Sequence, residues 1–262
     1  MPEKINIMVM AGTKDAARII KKLKSSGTFK ILATTTTEYG AKIANKSGAD
    51  EVLSGMLDEN DLTSLIKKSE IEILIDATHP FAAAATKNAI KSSENAKIKY
   101  IRFERPEEHI IKSNLIHKVF SFEDAALKVL EITEKNDKIL HLAGVSTINH
   151  VIEKIDSNRI YARVLPSIDS VQKCLDLGLK QENIIAMQGT FSKSFNKSLM
   201  EEYDISAIIT KESGATGGTA SKIDAALELG IHTVLVIRPN ISELSDKDVF
   251  TSFDEILSFI LN

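Results

Sequence analysis

The stretch LIDATHPFAAAAT, residues 74–86, decides how the chain is read. An apolar run, Leu74 and Ile75, ends at Asp76. A polar knot of Thr78, His79, Pro80 and Phe81 follows at once, and a run of alanines then starts a helix. Strand, short polar turn and helix form the unit of parallel α/β sheets, which bind ligands at the carboxyl ends of their strands. A carboxylate, a hydroxyl and an imidazole on that turn either cap the helix or face a ligand.

Outward from this stretch the same unit recurs. Short β-rich runs are expected at 5–10, 30–35, 50–54, 71–76 and 98–103, then at 138–143, 159–164, 183–187, 205–210 and 232–237. Between them apolar residues fall at helical spacing, as in Ala17, Ile20, Leu23 and in Ala126, Val129, Leu130. This alternation predicts an α/β fold with parallel sheets. The chain also repeats itself: INIMVMAGT (5–13) resembles KILHLAGVS (138–146), and Gly55 aligns with Gly189. YIRFERP (100–106) matches VLVIRP (234–239), and VFSFEDAALKVL (119–130) mirrors VFTSFDEILSFI (249–260). The offset stays at about 130 residues. Two similar halves are therefore expected, 1–115 and 116–262, each presenting its strand ends to a central cleft, a favoured place for a ligand.

Composition narrows the function. A net charge of −3 gives no basic field for nucleic acid, so an acidic ligand would need local Lys and Arg clusters. The single cysteine, Cys174, rules out an internal disulfide and fits a reducing compartment. The apolar run Ile5–Ala11 is too short to span a bilayer and reads as a first core strand, so a cytoplasmic protein is expected. The six histidines never fall at ligand spacing and no metal site is expected. No G-x-S-x-G turn supports a hydrolase, and none of the four tyrosines has a lysine four residues on, as a small-substrate dehydrogenase would usually carry. A non-enzymatic nucleotide or small-ligand sensor is the other alternative.

Five further stretches can hold ligands. VMAGTKDAAR (9–18) is a strand, a glycine turn and a helix start. Gly12 allows close backbone approach there, while Thr13 and Lys14 stand at a helix N-terminus suited to phosphate. The second strand ends in four threonines, Thr34 to Thr37, where an NAD-selective fold usually has an acid. Thr35, Thr36 and Thr37 would tolerate a phosphate better, which leans towards NADP. TKESGATGGTASK (210–222) places Lys211, Ser213, Gly214, Gly217, Gly218 and Thr219 before a helix, an anion-binding arrangement that lacks the Walker ending. MQGTFSKSFNKSL (187–199) contributes Lys193, and YIRFERP contributes Arg102 and Arg105, cations able to grip carboxylates.

AGTKDAAR, DATHPFA, RFERP, GTFS and TKESGATGGTASKIDAA, distributed from residue 11 to residue 239, together resemble the precorrin-6A reductase family, including its cobalt-precorrin-6A form. Ala11 departs from the usual second glycine and Asp15 from the usual glutamate. The resemblance implies two Rossmann-like domains, the first holding NADPH or NADH and the second a corrin precursor. It also implies reduction of one carbon–carbon double bond. On that reading Asp76, Thr78 and His79 are catalytic-site residues, with His79 able to supply a proton, and His79 and Pro80 border the nicotinamide. Gly12, Thr13, Lys14 and Thr35–Thr37 hold the rest of the cofactor. Lys211, Ser213, Gly214, Gly217, Gly218 and Thr219, with Arg102, Arg105 and Lys193, receive the acidic arms of the substrate.

Overall fold

The computed structural model describes residues 4–106, 110–214 and 217–261. The first sheet contains β1 (Ile5–Met10), β2 (Phe29–Thr35), β3 (Glu51–Ser54), β4 (Ile73–Asp76) and β5 (Lys99–Phe103), with α1 (Lys14–Ser26), α2 (Glu38–Ser47), α3 (Glu59–Lys68) and α4 (Ala83–Ala96) between them. Then come β6 (Ile116–Val119), α5 (Phe122–Ile132), β7 (Lys138–His141), α6 (Ile148–Ile152), β8 (Ile160–Val164), α7 (Ile168–Asp176) and β9 (Ile184–Ala186). The chain ends with α8 (Lys193–Glu202), β10 (Ile205–Lys211), α9 (Thr219–Glu228), β11 (His232–Val236), β12 (Asp248–Phe250) and α10 (Phe253–Leu261). All ten expected strands form.

Local rules explain these elements. Thr13 caps α1 by accepting from the Ala16 amide, Asp15 stands in its first turn, and Gly27 ends it in the left-handed region. In β1 successive side chains serve opposite faces. Ile7 and Val9 join one apolar cluster with Ile31, Ile75, Ile19 and Ile20, while Met8 joins another with Leu74, Leu62 and Ile90. Each such buried side chain contributes about 1.5–3 kcal/mol, which is why a strand covered on both faces reads as a continuous apolar run.

Both sheets are parallel and share one order: β3-β2-β1-β4-β5-β12 and β9-β8-β7-β10-β11-β6. This is the doubly wound order, with one correction to the expected halves. The sixth strand of each sheet comes from the other repeat. β6 follows β5 in sequence yet pairs with β11, and β12 follows β11 yet pairs with β5. The compact units are therefore Met1–Pro106 with Pro239–Asn262, and Glu107–Arg238, not 1–115 and 116–262. The physical reason is an apolar edge. Ile101 and Phe103 of β5 are covered by Ile256 and Ile260 of α10, and Phe103 stacks on Phe253 at 4.7 Å. Among the described residues no helix is long and apolar enough to cross a membrane.

Candidate functional site

At the carboxyl end of the first sheet β1 runs into Gly12, whose φ of +104° lies in the region that favours glycine. An added Cβ would meet nothing within 4 Å, so the turn faces open space. Thr13 fixes this turn. Its hydroxyl donates to the Ala77 carbonyl just past β4 at 2.8 Å while accepting the Ala16 amide at 3.0 Å. It therefore joins the two ligand-facing turns rather than reaching outward. A small recess of about 10 Å³ beside it is lined by Ala11, Gly12, Thr13, Gly40, Ile43 and Ala44. Within the threonine run, Thr35 is buried and donates to the Thr37 carbonyl, and Thr37 caps α2 through the Gly40 amide. Thr36 is exposed. Of the three threonines assigned to the cofactor, only Thr36 has a hydroxyl not already committed to the fold among the described residues.

The DATHPF turn stands on a buried polar cluster. Asp76 is fully buried, and its Oδ1 accepts from the Thr78 amide (3.0 Å), the Thr78 hydroxyl (2.7 Å) and Arg102 Nη1 (2.8 Å). Its Oδ2 accepts from the Tyr100 hydroxyl at 3.0 Å. Arg102 is equally buried and donates through Nε and Nη2 to Glu104 Oε2, both at 2.9 Å. Burial alone would pull the guanidinium down, but Asp76 and then Glu104 more than offset it and hold it above its ordinary value. Burial and the Asp76 carboxylate push the Tyr100 phenol up, keeping it a donor.

These contacts correct three assignments. Asp76 is a buried anchor rather than a group that reaches reactants, and Arg102 is neutralised by two carboxylates, so it does not receive substrate. Arg105, also buried, donates through Nε to Asp15 Oδ2 at 2.6 Å and is bound to the first helix. Thr78 and His79 are half-buried on the turn itself. His79 Nδ1 accepts the Phe81 amide at 3.2 Å, which leaves the proton of the neutral ring on Nε2. The helix that follows, α4, has no side-chain cap and no acid in its first turn.

In the second unit β10 ends at Lys211, which is half-buried. Ser213 and Thr219 bind each other, hydroxyl to hydroxyl at 3.1 Å, and Thr219 also donates to the Lys211 carbonyl. They shape the loop from within. Gly218 (φ +67°) opens α9, which has neither a side-chain cap nor an acid in its first turn. Ala215 and Thr216 lie outside the described residues. Lys193 is a further correction, since it pairs with Glu228 at 2.9 Å together with Lys197, linking α8 to α9. The counterpart of the first glycine turn does not repeat its geometry. Gly144 is followed by a 3-10 turn and the five-residue α6, and its carbonyl accepts from His141 Nε2 at 3.2 Å.

The sequence reading passed over Arg163, near the end of β8. It donates through Nη1 to Asn196 Oδ1 at 2.8 Å and lies 4.9 Å from the centroid of the Phe191 ring. Its register position matches Thr34 of β2, so alignment of the repeats is the signal that could have found it.

A family model described as precorrin-6x reductase CbiJ/CobK matches residues 6–261. The chain is 44% identical to the cobalt-precorrin-6A reductase of Methanothermobacter thermautotrophicus over 99% of its own length and 84% of that protein's. Against the cobalt-precorrin-6A reductase of Methanocaldococcus jannaschii the identity is 43%, over 98% and 99%. A solved structure of CobK precorrin-6A reductase shares the fold, with a TM-score of 0.78 at 17% identity over 99% of this chain and 97% of that one. Matched from the second residue of β1 to the last of α10, and with relatives above 40% identity across nearly its whole length, the chain belongs to the precorrin-6x reductase CbiJ/CobK family.

Proposed function

We propose that this protein reduces one carbon–carbon double bond of (cobalt-)precorrin-6A to give (cobalt-)precorrin-6B in cobalamin biosynthesis, using NADPH or NADH. It rests on one observation, the full-length match to a reductase family whose relatives here carry the cobalt-precorrin name. The first unit would hold the cofactor, because the open Gly12 turn and the N-terminal amides of α1 suit a pyrophosphate. Thr36, exposed at the end of β2, would face the adenosine ribose.

When bound, the nicotinamide supplies the hydride, and the protein's work is positioning and exclusion of water. Asp76 and Arg102 hold Thr78, and Thr78 holds the turn that carries His79, Pro80 and Phe81. His79 Nε2, the protonated nitrogen of the neutral ring, is the group on that turn able to deliver a proton to the carbon next to the one reduced. The second unit would receive the acidic arms of the macrocycle at Lys211 and at the amides of Gly217, Gly218 and Thr219 that open α9.

Purified protein mixed with enzymatically prepared cobalt-precorrin-6A and NADH or NADPH should lose nicotinamide absorbance as the tetrapyrrole gains two hydrogens by mass. No tetrapyrrole-dependent oxidation of either nucleotide would sink the reading. Gly12→Val should strain the turn and block backbone approach, raising the cofactor dissociation constant at least ~10-fold with the circular dichroism spectrum unchanged. Unaltered binding in that variant would move the cofactor elsewhere.

A further inference from the structure

Arg163 is a cation without an anion. Burial alone pulls its guanidinium down to about 10, with no carboxylate acting on it. Its partners among the described residues are both neutral: the Asn196 side-chain oxygen and the face of Phe191. The two buried arginines among the described residues are compensated, Arg102 by Asp76 and Glu104 and Arg105 by Asp15, as is half-buried Arg238 by Glu212. Half-buried Arg163 and Arg159 instead bond to neutral groups, Arg159 being held by two backbone carbonyls and the Thr133 hydroxyl. A guanidinium taken from water without a counter-charge is costly, so the fold maintains it at a cost in stability.

The surroundings hold it still. Asn196 is buried and its amide nitrogen donates to the carbonyls of Phe191 and Ser192, which fixes its oxygen towards Arg163. Phe191 supports the guanidinium plane and stacks in turn on Phe195 at 4.6 Å. The same loop touches the start of the uncapped α9. The Ser221 hydroxyl donates to the Phe191 carbonyl at 2.9 Å, and Gly218 faces Thr190 so closely that a Cβ would lie 3.5 Å from it. A stacked guanidinium without a described counter-charge thus adjoins the start of a helix whose N-cap, Gly218, supplies no side-chain acceptor.

We infer that Arg163 is the receptor for one carboxylate arm of the tetrapyrrole, gripping it on the edge of the guanidinium not used by Asn196, with the α9 amides beside it. This rests on the proposed function. An arginine near the end of a second strand can also take the 2′-phosphate of NADP. The carboxylate is favoured because the glycine turn of this unit, although a Cβ at Gly144 would meet nothing within 4 Å, is followed by a 3-10 turn and a helix of only five residues, and its Gly144 carbonyl is engaged by His141.

Arg163→Gln and Arg163→Met test it, with Arg163→Lys as the conservative variant. Each neutral variant should raise the KM for cobalt-precorrin-6A at least ~30-fold, with kcat within ~3-fold and the dissociation constants of NADH and NADPH unchanged. Arg163→Lys should fall between, since it keeps the charge and loses the planar grip. In the absence of substrate the melting temperature of both neutral variants should stay within ~3 °C of the parent, because an unpaired charge is removed. A lowered melting temperature with KM unchanged would make Arg163 a structural prop and overturn the inference. Weakened NADPH binding with NADH binding and tetrapyrrole KM intact would assign it to the 2′-phosphate instead. Failure of the parent protein itself to turn over the tetrapyrrole would count against the proposed function, whereas turnover with an unaltered KM in the neutral variants counts against Arg163 alone.

Discussion

Replacing Arg102 by methionine keeps an unbranched apolar stem and removes the only cation that touches Asp76 among the described residues. The pair is 2.8 Å apart, with side chains 1% and 0% exposed, so no water can take the place of the guanidinium. Removing one partner of such a pair typically costs about 3–5 kcal/mol. Here three neutral donors remain on Asp76, the Thr78 amide and hydroxyl and the Tyr100 hydroxyl, so the lower end, ~3 kcal/mol, is expected. Asp76→Asn should cost less, ~1–2 kcal/mol, because its amide keeps the shape and Arg102 retains Glu104. The double variant contains neither charge and should be more stable than the sum of the single losses by about 2 kcal/mol. Urea unfolding followed by circular dichroism, run on the four proteins at one pH, measures that coupling. Additive losses, with coupling below ~0.5 kcal/mol, would show that Asp76 and Arg102 stabilise the turn independently and would refute the account of a coupled anchor. Both single variants should also lower kcat, since Thr78 and the turn beyond it lose their fixed seat.

His141 is fully buried, and burial, opposed by its bond to Gly144 and aided by Lys211, pulls its pKa down to about 4. The unfolded chain then binds a proton near pH 6.5 that the native state refuses, so stability should fall by ~1.4 kcal/mol per pH unit from about pH 6.5 down to about pH 4. In His141→Leu that component should vanish, and an unchanged slope in urea unfolding between pH 7 and pH 5 would exclude it. Thr36→Asp should shift preference from NADPH towards NADH by placing a carboxylate at the exposed end of β2; equal ratios of kcat/KM before and after would remove Thr36 from the cofactor site. Lys211→Ala should raise the KM for the tetrapyrrole and leave cofactor affinity nearly untouched, and the opposite pattern would mean that the ligands of the two units are reversed.

The central strands were legible because both faces of each are covered, which writes Ile7-Met8-Val9 or Ile208-Ile209 as continuous apolar runs. β6 and β12 were not. IHKV and DVF are short and only partly covered, and nothing local in either says which sheet edge it will join. The repeat did show that 119–130 and 249–260 are equivalent, but equivalence is preserved whether each segment stays in its own half or is exchanged. The arginines failed for a related reason. A cation at a strand end is visible in sequence, while its counter-ion is not: Asp15 is 90 residues from Arg105. Arg163 lies in ARVLP, which matches no motif, and only the fold shows that no carboxylate meets it.

Two of the strand-end motifs, those before α4 and α9 but not the one before α1, share a feature that packing alone does not require. Among the helices of eight or more residues with described N-caps, α1, α2, α3, α5, α7 and α8 each begin with Thr, Asp or Ser bonded to a backbone amide. Only α4 and α9 begin without such a bond, on Ala82 and Gly218. A side-chain cap is worth about 1 kcal/mol, and a chain that caps six helices has ready means to cap two more. Both exceptions follow the strand that lies fourth in the shared order, β4 in one sheet and β10 in the other, and both are the helices of DATHPFAAAAT and TKESGATGGTASK. Neither carries an acidic residue in its first turn, where an acid would complement the helix dipole and compete with an anion. Local rules broken at equivalent places in both repeats, and kept at the other described caps, are the pattern expected of backbone donors reserved for a ligand.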